Sequence, residues 1–95
     1  MLIHIVSFKY KADVDEAQRH EHRARLRGLG SLAGVRALSV GADVVGSARS
    51  FDTGLVVHFA DRAALDTYQQ HPAHVPVAQF GAGLCERIVA VDFEA

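Results

Sequence analysis

The chain predicts an α+β domain of the ferredoxin-like kind, built as β-α-β-β-α-β. Three observations carry this. Four short apolar segments with two-residue periodicity lie at the start, middle and end of the chain; two helix-patterned segments separate them in the split βαβ order; and 95 residues is one domain's worth of chain. Such a domain, residues 1–95, buries roughly two thirds of its unfolded surface and folds without much margin.

Residues 2 to 10 alternate, with Leu2, His4, Val6, Phe8 and Tyr10 on one face and Ile3, Ile5, Ser7 and Lys9 on the other. Both faces start apolar, which predicts a central strand. Residues 13 to 29 predict a helix with Asp13 as N-cap, Glu16 at capping-box spacing, and an end at Gly28 or Gly30. It is polar, so only a stripe through Ala17 or Gln18, His22, Leu26 and Leu29 is expected to face the core. VRALSVGADV is a second strand, GSARSFD a loop, and TGLVVHFA a third strand. Asp61 caps a second helix, DRAALDTYQQ, which Pro72 ends at His71. A short turn follows through Val77 to Phe80, and CERIVAVDFE is the fourth strand.

Both helices then cover one face of the sheet. The other face is also apolar, and the simplest cover is a second copy of the chain, packed sheet against sheet as a homodimer. The formal net charge of −1 and the lack of charged blocks give no footprint for nucleic acid. MLIHIVSFKY reads as a strand rather than a signal peptide, and no run is long enough to span a membrane, so the expected setting is the cytosol. Abundant Ala, Arg and Gly with few lysines suggest a GC-rich bacterial source. The single cysteine, Cys85, excludes an internal disulfide and reads as a small buried hydrophobe.

The stretch YQQHPAHVPVAQF concentrates the candidate chemistry. It holds Tyr68, His71, His74 and both prolines. Tyr68 and His71 lie three apart on one helical face, and the break at Pro72 is placed to turn His74 back toward Tyr68. An imidazole that titrates near working pH beside a phenol that can hold an oxygen makes a proton-transfer pair. His4 projects from the first strand toward the same region. His22 falls on the inner stripe of the first helix, His20 is solvated, and His58 belongs to the sheet surface or interface.

Structural readings stand beside these. Tyr68 could pack its ring while its hydroxyl reaches water, and His71 could bind a free carbonyl at the helix end. His4 could be a satisfied strand histidine. No carboxylate or cysteine ligands are spaced to complete a metal site with His4, His71 and His74. There is no GxSxG, phosphate loop or dinucleotide fingerprint, so an enzyme here would use acid–base chemistry without a cofactor.

The segments HIVSFKYK, GSLAGVRALSVG, FDTGLVVHF, YQQHPAH and RIVAVDFE, in order along the whole chain, resemble the stress-responsive alpha/beta-barrel family, Dabb. The resemblance implies a ferredoxin-like subunit that dimerises through its sheets into a barrel-like core. Its polyketide-cyclase members, of the olivetolic acid cyclase type, imply His74 as the base that removes a carbon-bound proton and Tyr68 as the group that positions substrate. They also imply His4 at the cavity, and Asp92 of the last strand near it, where it would orient an imidazole. The resemblance thus points to a polyketide or other carbonyl ligand. His22 and Arg25 stand where the cyclase has pocket aromatics, Cys85 replaces an aromatic and Thr53 a histidine, so the pocket is more polar and the substrate different. Two functions follow: a cofactor-independent cyclase or isomerase with His74 and Tyr68 as catalytic residues and His4, His22, His71 and Asp92 around the substrate, or a non-catalytic, stress-associated dimer that binds a small ligand. A cofactor-free monooxygenase of another ferredoxin-like family is a third, but such cavities typically carry Trp or Asn, and the chain has neither.

Overall fold

Alternation of the first strand sets the architecture. In a computed structural model that describes residues 1–95, β1 (Leu2–Tyr10) buries every even-numbered side chain and leaves the odd ones half-exposed. It lies between two antiparallel neighbours, β3 (Thr53–Phe59) and β4 (Cys85–Glu94), with β2 (Ala37–Ala42) beyond β3, giving the order β2-β3-β1-β4. The fold is ferredoxin-like α+β. The register sets His4 opposite Val57 on one side and Asp92 on the other. Because directly opposed residues share a face, Asp92 stands beside His4 on the helix side of the sheet.

Three helices cover that side: α1 (Glu16–Gly28), α2 (Arg62–Gln70) and α3 (His74–Leu84), with a single 3₁₀ turn at Leu29–Ser31. The core runs through Leu2, Val6, Phe8, Leu26, Leu55, Val57, Phe59 and Leu65. On the opposite side, Val89, Val91 and Phe93 of β4 stay 40%, 55% and 44% exposed.

Three expectations need correction. α1 starts at Glu16, capped by Asp15: its side chain accepts from the Gln18 N–H, and the Gln18 side chain accepts from the Asp15 N–H. Residues before it form a turn closed by Val14 N–H to the Lys11 carbonyl, which buries Val14 in the core and so excludes a helix start at Asp13. The inner stripe is His22, Arg23 and Leu26, while Ala17 and Gln18 are exposed. Third, the expected short turn is an 11-residue helix, α3. Pro72 precedes it and Pro76 sits in its first turn, where a missing N–H loses no intrahelical bond. Asp61 caps α2 as expected, accepting from Ala64 N–H at 3.0 Å.

Candidate functional site

The α2–α3 junction builds the first wall of the site. α2 buries Tyr68 to 1% exposure. His71 is its C-cap, in extended conformation, and turns the chain. Three residues later His74 opens α3 and its ring comes within 4.6 Å of the Tyr68 ring, centroid to centroid. The His74 Nδ1–H donates to the Gln69 carbonyl at 3.1 Å. A carbonyl can only accept, so Nε2 carries the lone pair. Burial lowers the His74 pKa, the Gln69 carbonyl opposes this, and His4 and His71 lower it further. His74 is therefore a neutral imidazole at working pH with a basic nitrogen available.

Tyr68 has the complementary character. Burial pushes its phenol up to about 12, so it remains a protonated donor. Its hydroxyl is buried and has no partner in the protein. The expectation that it reaches water does not hold. His4, 5% exposed, meets the Tyr68 ring edge-on at 6.3 Å and gives its Nδ1–H to Asp92. That bond orients His4 and leaves its Nε2 as the free nitrogen.

His4, Tyr68, His74 and His22 line one cavity of about 220 Å³ between β1, β4 and the three helices. Val6, Phe8, Leu26, Leu55, Val77 and Ile88 supply its apolar walls. The arrangement offers a hydrogen-bond donor and a base to a ligand enclosed by hydrocarbon, which strengthens both. A wider depression of about 580 Å³ lies over β2, β3 and the loop between them, but no imidazole or phenol lines it.

Two residues named from the sequence sit differently. His71 does not line the cavity, and its ring binds no free carbonyl at the helix end; its Nδ1 accepts from the Ala73 N–H at 3.0 Å. Asp92 bonds His4 Nδ1, the contact expected of a group that orients an imidazole, but it is outside the cavity lining. No group of three or more His, Cys, Asp or Glu residues is placed to hold a metal ion. Cys85 is buried, and its thiol is pushed up to about 11, chiefly by burial.

Sequence reasoning missed Arg23 and the hydroxyls near it. Arg23 is only 6% exposed, bridges to Glu16 at 3.2 Å and donates to Thr53 Oγ1 at 3.2 Å. Tyr10 joins Thr53 at 2.9 Å and His22 Nδ1 at 2.7 Å. Arg23 lies seven residues from Glu16 on one helical face, and that spacing was the only signal for the pair.

The family model described as the stress responsive A/B barrel domain matches residues 2–95. No curated protein sequence matches the chain. Similar solved structures include a dimeric ferredoxin-like protein of unknown function from Thermobifida fusca, 24% identical, with a TM-score of 0.90 over 99% of this chain and 90% of that one. Another dimeric ferredoxin-like protein, from Jannaschia sp. CCS1, is 27% identical with a TM-score of 0.83 over 99% and 98%. A hydroxynitrile lyase from Passiflora edulis is 22% identical with a TM-score of 0.86 over 97% and 90%.

Proposed function

From the premise that the chain belongs to the stress responsive A/B barrel domain family, Dabb, we propose that it is a cofactor-independent enzyme that removes a proton next to a carbonyl group, as a cyclase or isomerase of a small polyketide-like or other carbonyl substrate. One observation carries this reading: the ring of Tyr68, whose buried hydroxyl has no partner, packs against a neutral His74 whose free nitrogen is fixed by the Gln69 carbonyl. The similarity to a hydroxynitrile lyase supports the fold's capacity for chemistry on a compact substrate.

In the proposed reaction His74 Nε2 takes the proton on the carbon next to the carbonyl. Electrons of the C–H bond form the enolate, whose oxygen accepts from the Tyr68 O–H. In a cyclisation the enolate carbon attacks a second carbonyl of the same substrate, and His74 returns its proton to the new alkoxide. In an isomerisation the proton returns to carbon or to oxygen. A base and a donor of this kind each contribute about two to three orders of magnitude. In this reading His4, oriented by Asp92 and edge-on to the Tyr68 ring, positions the substrate. The cavity of about 220 Å³ falls below the usual range for drug-sized ligands, so either the substrate is small or only its reacting end enters.

Residues 1–95 act here as one domain that works as a homodimer. Ile3, Ile5 and Val56 are half-buried on the uncovered sheet face, next to the exposed Val89, Val91 and Phe93 of β4. Covering such a face with its own copy removes a large apolar area from water. The two similar structures described as dimers support this assembly.

The test is hydrogen–deuterium exchange next to the carbonyl of cyclohexanone in D₂O, followed by NMR. The wild-type chain is expected to exceed the buffer rate, and His74→Ala and Tyr68→Phe to lose most of that excess. Equal rates in all three proteins would refute the assignment and favour a dimer that only binds a small ligand.

A further inference from the structure

Two buried polar side-chain atoms have no partner in the protein, Tyr68 OH and His22 Nε2. The proposed reaction uses the first and gives no role to the second. His22 is 0% exposed and lines the same cavity from α1. Phe8 packs edge-on at 4.7 Å and Phe80 lies 6.2 Å away, so its surroundings are hydrocarbon.

The hydrogen-bond chain behind His22 fixes what Nε2 presents. Arg23 can only donate, and it donates to Thr53 Oγ1. The arrangement that satisfies every member continues from the Thr53 O–H to the Tyr10 oxygen, and from the Tyr10 O–H to His22 Nδ1. The reverse order leaves the Thr53 hydrogen without an acceptor. His22 is then the Nε2–H tautomer, an unpartnered donor that abuts Gly81, which lines the same cavity. Burial, followed by the nearby Arg23 charge, holds the imidazole neutral down to about 4. α3 approaches the imidazole this closely because it carries glycine there: a Cβ at Gly81 would lie 2.7 Å from Nε2.

We propose that His22 Nε2–H is a second binding point of the cavity, taking an uncharged acceptor oxygen of the substrate remote from the carbonyl that reacts at Tyr68 and His74. The inference rests on the reaction assigned above only for that last clause. The substrate class becomes a compact dicarbonyl or hydroxycarbonyl compound, not a ketone ending in an alkyl chain. A carboxylate is disfavoured, because one neutral donor among phenyl rings does not replace its hydration. An alkyl end would leave the buried N–H unpaired, which a site built this way discriminates against.

Cyclohexanone and 1,4-cyclohexanedione are matched probes: one ring, with one oxygen or with two at opposite ends. In NMR titrations of the full chain at neutral pH, the dione is expected to bind about tenfold tighter than the ketone. Nitrogen-15 spectra of the imidazoles should show His22 protonated at Nε2 and shifted by the dione alone. His22→Leu should bind both probes equally. Tyr10→Phe, which leaves the cavity walls untouched, should reduce the preference and mix the two tautomers. Equal binding of both probes by the wild type, no binding of either, an unprotonated Nε2, or a His22 signal that the dione leaves unmoved (a resident water only) each overturns the proposal. Deuteration of cyclohexanone reads the Tyr68–His74 assignment separately. Exchange without a dione preference sinks only the His22 site, and a dione preference without exchange sinks only the reaction.

Discussion

His22 makes the stability of the protein depend on pH in a calculable way. Its pKa falls from 6.5 to about 4 on folding, because burial and then Arg23 disfavour the cation. Between those values the unfolded chain binds a proton that the folded chain does not. The stability His22 contributes is therefore present above 6.5 and is lost as pH falls through the window from 6.5 to 4. One pKa unit is about 1.4 kcal/mol, so moving from near pH 7 to near pH 4.5 removes roughly 2–3 kcal/mol through this residue. His74 shifts in the same direction, so the comparison with a variant lacking His22 is needed. His22→Gln keeps a hydrogen-bonding side chain and removes the titration. Urea unfolding of both proteins at the two pH values isolates the term. With a slope of about 1 kcal/mol/M, the wild-type midpoint should fall roughly 2–3 M further than that of His22→Gln. Identical falls in the two proteins would show that His22 accepts a proton in the folded state, and would refute the buried neutral imidazole.

Tyr68→Phe should stabilise the fold by about 1 kcal/mol, since it removes a buried hydroxyl without a partner. The same change should lower carbonyl-directed exchange about a hundredfold; thermal melts and exchange rates on one preparation check both. Gly81→Ala puts a methyl group 2.7 Å from His22 Nε2 and should destabilise by about 1–3 kcal/mol, measured by urea unfolding. Val91→Asp places a charge on the uncovered face of β4 and should shift the protein to monomer in sedimentation velocity, with the fold retained by circular dichroism.

The fold was legible because its strands state their own pattern. Leu2 to Tyr10 carries β-branched and aromatic residues with polar ones entering every second position at its end, and its burial then alternates without interruption. Asp61 likewise announces α2. α3 was hidden by its own composition. Two glycines and a proline within eleven residues read as punctuation, yet Pro76 falls in the tolerated first turn and Gly81 is demanded by a histidine from another helix. That requirement is a tertiary contact and leaves no trace within the segment.

The site was legible in part for the same reason. The proline after His71 predicts a turn, and a turn there brings His74 back over Tyr68. The place of Asp92 beside His4 depends on strand register, which the spacing of the segments leaves open. His71 shows the limit of counting by threes. It lies on the Tyr68 face of an ideal helix, but the helix ends before it and its ring turns to Ala73. The hydrogen-bond chain from Arg23 to His22 joins α1, β1 and β3, so no local pattern could have indicated it.

The claim that Tyr68 and His74 act as donor and base is tested most directly by the pH dependence of kcat/KM for cyclohexanone deuteration. His74, its pKa lowered chiefly by burial, sets the acid limb, so the rate should rise through a midpoint below pH 6.5 and then level off. The plateau should then hold through the alkaline range until the Tyr68 phenol ionises at about 12. A rate that follows buffer catalysis across the range, or an acid limb that persists unchanged in His74→Ala, would contradict the assignment.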